Sequence, residues 1–132
     1  MLDLGSLFSG INAADRIAAR ILGKKGTRLE KKIQAVGDLQ KAINATEAYL
    51  VSSGQVYLPN TDLSSLWVQA FTSMIPFDKE LAISLRDQSR FWSNPESWLR
   101  EPAAMELIPT LRELNDRCEE MINTLELRIS RR

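Results

Sequence analysis

The stretch TRLEKKIQAVGDLQKAINATEAYLVSSG, Thr27 to Gly54, decides the fold. Thr27-Arg28-Leu29-Glu30 has the form of a capping box, in which a threonine hydroxyl and a glutamate side chain each satisfy a free amide of a helix start. Leu29, Ile33, Val36, Leu39, Ile43 and Leu50 then recur at helical spacing, and Ser52-Ser53-Gly54 closes the run. The spacing predicts a helix over 27–52, about seven turns and roughly 39 Å long. One apolar stripe on so long a helix needs other helices to cover it.

Working outward, Leu4, Leu7, Ile11, Ala14, Ala18 and Ile21 form a similar stripe, which predicts a helix over 2–22 stopped by Gly23. The connector 24–26 is too short for anything but an antiparallel return. Downstream of the quoted stretch, Val56-Tyr57-Leu58 is a lone extended run before Pro59, and one such run cannot make a sheet. Asn60 or Thr61 caps a helix expected over 61–75, which Pro76 ends. Asp78 caps the next, over 78–93, and Asn94-Pro95-Glu96 starts a short turn over 95–100. The last segment, 102–130, keeps a four-three alternation through Leu107, Leu111, Leu114, Cys118, Met121 and Leu125, with a kink or restart expected near Pro109. No stretch alternates as a strand. The expected fold is all-α, one helical-bundle domain over 1–132 with four main helices and one or two short ones.

Composition narrows the function. Hydrophobic residues are 44% and charged residues 26% of the 132, as in a globular domain. There is no histidine, which removes the side chain that titrates near neutrality and the commonest zinc ligand. One cysteine, Cys118, excludes an internal disulfide and a cysteine metal cluster. Glu113, Asp116, Glu119 and Glu120 form a carboxylate ladder on the last helix. Glu113 and Arg117 stand as an i,i+4 pair, so the ladder reads as a solvated, salt-bridged face. No nucleophile elbow, phosphate-binding loop or dinucleotide fingerprint occurs. No cofactor, metal, small-molecule ligand or catalytic residue is expected, and the chain reads as a non-enzyme. Met1-Leu2-Asp3 carries an acid where a secretory signal carries base, and no apolar run reaches the ~20 residues of a membrane span. The expected location is the cytoplasm.

Seventeen basic and seventeen acidic residues cancel, but unevenly. Net charge runs from +3 over 1–50, through −1 over 51–100, to −2 over 101–132. Between positions 16 and 32, Arg16, Arg20, Lys24, Lys25, Arg28, Lys31 and Lys32 oppose only Glu30. These seven are the candidate contacts for a partner or an anion, whether protein, lipid headgroup or nucleic-acid phosphate. The plainer reading is that cations here complement the C-terminal dipole of the helix over 2–22, which explains only half of them. That helix also offers Leu4, Leu7, Phe8, Ile11, Ile17 and Ile21 to a membrane surface, or the same stripe to the bundle, which is the preferred reading.

Six of nine aromatic residues, Trp67, Phe71, Phe77, Phe91, Trp92 and Trp98, lie within 32 positions and are expected to centre the core. Adjacent Phe91 and Trp92 cannot both face inward on one helix. One of them is expected to cover the short Trp98 turn or to remain partly exposed, which makes Phe91, Trp92 and Trp98 candidates for an exposed aromatic contact. A DNA-reading helix after Pro76 is argued against by its charge balance, Lys79, Arg86 and Arg90 against Asp78, Glu80 and Asp87.

The pattern Leu63-x-x-Leu66-Trp67, Asp78-x-x-Leu81-Ala82, Phe91-Trp92-x-x-Pro95-x-x-Trp98 resembles one in small uncharacterised bacterial all-helical proteins. The likeness covers 36 residues, 63–98, and implies a helical domain of bacterial origin without a catalytic signature. The function expected from the sequence is a helical interaction or adaptor module, for a protein partner or for a second copy through the seam of the last helix. The alternatives are peripheral binding to anionic membranes or nucleic acid through 16–32 and, last, an enzyme.

Overall fold

A computed structural model describes residues 27–54, 56–100 and 110–130. The described residues form five helices and no strand: α1 (Arg28–Ser53), α2 (Thr61–Met74), α3 (Lys79–Ser93), α4 (Pro95–Leu99) and α5 (Leu111–Ser130). The helix expected over 2–22, the start of the 102–130 segment and the kink near 109 lie outside them.

The local signals act as read. The Glu30 amide donates to Thr27 Oγ1 at 3.1 Å, and the Thr27 amide donates to Glu30 Oε1 at 2.7 Å, which closes the capping box of α1. Gly54 ends α1 in the left-handed region at φ 69°, donating its amide to the Leu50 and Val51 carbonyls. Asn60 and Asp78 cap α2 and α3 by accepting from the amides of Leu63 and Leu81, each at 3.0 Å. Thr110 Oγ1 accepts from the Glu113 amide at 3.2 Å, which caps the start of α5.

α1 is the central helix. Ala35, Val36, Gly37, Asp38 and Leu39 are buried in succession, and five residues span more than a full turn, so α1 is covered all round at that level. α2 packs on it antiparallel, for Arg28 meets Pro76, Asp38 meets Ser73 and Thr46 meets Trp67. α2 and α3 form an antiparallel hairpin. Its tight end is closed by the Phe77 and Asp78 amides on the Met74 carbonyl, and its open end by the Asn60 amide on the Trp92 carbonyl at 2.9 Å.

The core comprises Val36, Leu39, Ile43, Trp67, Met74, Leu85, Trp92, Leu114 and Cys118, all essentially inaccessible. Each large apolar side chain so buried contributes about 1.5–3 kcal/mol. Two polar groups enter the core paired. Trp67 Nε1 donates to Thr46 Oγ1 at 2.9 Å, and that hydroxyl donates to the Ala42 carbonyl at 2.8 Å. The buried Asp38 carboxylate accepts from Gln34 Nε2 and from Ser73 Oγ, tying α1 to α2.

Candidate functional surfaces at the two ends of the bundle

The antiparallel arrangement gives the molecule two ends, about 39 Å apart along α1. One gathers the start of α1, the turn 75–78, the start of α3 and the first half of α5. The other gathers the end of α1, the connector 56–60, the end of α3 and α4.

The first end is charged. Arg28, Lys31 and Lys32 come together at the start of α1, with Arg28 and Lys31 exposed and Lys32 half-buried. Arg16, Arg20, Lys24 and Lys25 lie outside the described residues. Glu30, the one acid among these cations in sequence, is spent on the Thr27 amide. Arg28 is held in place: Nη2 donates to the Pro76 carbonyl at 3.4 Å, and its guanidinium carbon lies 4.8 Å from the centre of the Phe77 ring.

Beside this corner α3 and α5 diverge, with no Cα of one within 8 Å of the other. The cleft between them, about 380 Å³, is lined by Glu80, Leu81, Ser84, Glu113, Leu114, Asp116 and Arg117. Arg117 Nη2 reaches across to Asp78 Oδ2 at 2.5 Å, so Glu80, Glu113 and Asp116 leave the cleft negative. Part of the carboxylate ladder thus does line a cleft. Among the described residues no three His, Cys, Asp or Glu side chains converge as metal ligands would.

The second end is aromatic and apolar. Phe91 and Trp92, one of which was expected to cover the Trp98 turn or to stay partly exposed, are both buried, at 4% and 1% exposure. The helix-face argument fails because two different elements cover the two neighbouring positions. Tyr49 of α1 meets the Trp92 ring edge-on at 5.6 Å, while Tyr57 of the connector meets Phe91 edge-on at 5.6 Å and lies 5.9 Å from Trp92. Trp98 is half-buried against the core. Exposure falls instead on Val56, Tyr57, Leu58 and Leu99, which are between 40% and 56% exposed. Tyr57, Leu58, Pro59 and Leu99 share a shallow cleft of about 520 Å³, rimmed by Asn94, Glu96 and Arg100. The lone apolar run Val56-Tyr57-Leu58 was its sequence signal.

On α5 the seam residues Leu114, Cys118 and Leu125 are buried in the core, while Leu127 and Ile129 near its end are exposed. Cys118 is a free cysteine buried in the core. Burial, with the neighbouring Glu119 charge adding to it, pushes its thiol up to about 12. No described helix is long and apolar enough to cross a membrane. Compared with family models, with curated proteins and with solved structures, the chain finds no match in any of the three.

Proposed function

We propose that the chain is a helical interaction module that docks an apolar segment of a partner protein on the surface formed by the connector 56–59 and α4. The observation that carries this reading is the exposure together of Tyr57, Leu58 and Leu99 around one cleft. Single exposed apolar side chains are ordinary, whereas a contiguous group marks a contact. The frame beneath is rigid. Tyr57 is wedged on Phe91 and Trp92, and Asn60 is bonded to the end of α3, so little conformational freedom remains to be lost on binding. The role is binding rather than catalysis.

The test is affinity capture from the native cell with the wild type and with Leu58→Asp/Leu99→Asp, followed by hydrogen exchange on the captured complex. Both substituted side chains are exposed, so the melting temperature stays within a degree or two. The partner is lost from the variant, and residues 56–60 and 96–100 gain protection in the wild-type complex. Capture that survives the double substitution, or protection confined to other helices, overturns the reading.

A second reading is supported by the exposed cations at the start of α1: peripheral attachment to anionic lipid or nucleic-acid phosphate. It predicts binding to anionic vesicles or oligonucleotides that falls steeply with salt and is lost when Lys31 and Lys32 become glutamine.

A further inference from the structure

The charged end carries two patches of opposite sign side by side, and one short turn braces both. Arg28 of the basic corner is bonded to Pro76 and stacked on Phe77. Arg117, at the edge of the acidic cleft, is bonded to Asp78. The cleft is negative through Glu80, Glu113 and Asp116, its single cation being engaged by Asp78.

We propose that this end is a self-complementary contact for a second copy of the chain. In a two-fold dimer the corner of each copy, through Lys31 and Lys32, seats against the α3–α5 cleft of the other at Glu113 and Asp116. The order of charge selects this occupant. A polyanion that suits the corner meets the repulsion of Glu80, Glu113 and Asp116 immediately beside it. A polycation that suits the cleft meets Arg28, Lys31 and Lys32. A surface that pairs both patches must carry both signs in reversed order, which a two-fold axis between the patches supplies from the same chain. The zero net charge leaves no long-range repulsion between copies to overcome. This contact is about 39 Å from the apolar docking surface and stands or falls independently of it.

The experiment uses two variants of the full chain, Lys31→Glu/Lys32→Glu and Glu113→Lys/Asp116→Lys, with sedimentation equilibrium as the readout and circular dichroism to show that each is folded. The wild type dimerises at low salt, and its dissociation constant rises at least about tenfold between 50 and 500 mM salt, since the pairs are solvent-facing and screened. Each variant alone is monomeric, because its two patches now share one sign. Mixed in equal amounts, the variants form a heterodimer, since every corner again faces a cleft of opposite sign. The proposal is overturned by a wild type that stays monomeric at hundreds of micromolar in low salt. A mixture that stays monomeric overturns it too, and so do variants that dimerise as well as the wild type.

Discussion

The start and the finish of α1 are built from different physics. At its start, two side-chain-to-backbone bonds, a stacked guanidinium and a solvent-facing ion pair hold the chain above buried aliphatic residues, Leu29, Met74, Leu81 and Leu114. Near its finish four aromatic rings, Tyr49, Tyr57, Phe91 and Trp92, touch in series. Burial of rings sets stability and shape, whereas exposed charge contributes little to either and much to the choice of what approaches. The buried core runs through both ends, but its rings are clustered at one and the exposed charge at the other.

The sharpest way to break this contrast is Trp92→Ala. Removing a fully buried indole that contacts Tyr49, Tyr57 and Phe91 costs about 3–5 kcal/mol in urea unfolding, the largest single effect expected anywhere near either end. Trp92→Phe costs far less than Trp92→Ala, because the indole Nε1 has no hydrogen-bond acceptor to lose. If Trp92→Ala proves no more costly than the loss of one helix cap, the aromatic end is not where the stability lies.

The capping box, Gly54, Asn60 and Asp78 were all legible from sequence, because each is decided within four residues of chain. The limits of α1 to α4 moved by only a residue. Burial of both Phe91 and Trp92 was not legible, since it depends on Tyr49 and on a connector more than thirty residues upstream. The periodicity of one helix holds no information about what lies over its far side. Arg28 illustrates the same limit within the basic run. Its charge is plain in the sequence, but its stacking on Phe77 and its bond to Pro76, 48 positions away, belong to the tertiary fold. The acidic cleft was half legible: the ladder on α5 could be read, but the divergence of α3 that opens a space beside it could not.

The two caps of α1 sharpen the contrast at middle size. Thr27→Ala removes the hydroxyl that accepts from Glu30 and costs about 1 kcal/mol. Gly54→Ala meets open space, with no atom within 4 Å of an added Cβ, so its cost of about 1–2 kcal/mol comes from the left-handed backbone alone. The pair separates by residue type: Thr27→Ser restores the charged-end cap through its hydroxyl, and Gly54→Asn recovers much of the other through its tolerance of positive φ. Equal losses for alanine and asparagine at 54 would locate the cost in packing instead.

The smallest effect tests whether charge at the first end is structural at all. Arg28→Ala gives up a stacking contact worth about 0.5–1 kcal/mol at an exposed site. It also gives up one long hydrogen bond to the Pro76 carbonyl. Arg28→Lys keeps the charge but cannot reproduce a planar fork lying over Phe77 while bonding Pro76. If the guanidinium braces the 75–78 turn, lysine is as destabilising as alanine, and hydrogen exchange at the Phe77 and Asp78 amides quickens equally in both. If only the positive charge counts, lysine behaves as the wild type. The first outcome assigns Arg28 to the frame and leaves Lys31 and Lys32 as the members of the basic corner free to meet a partner.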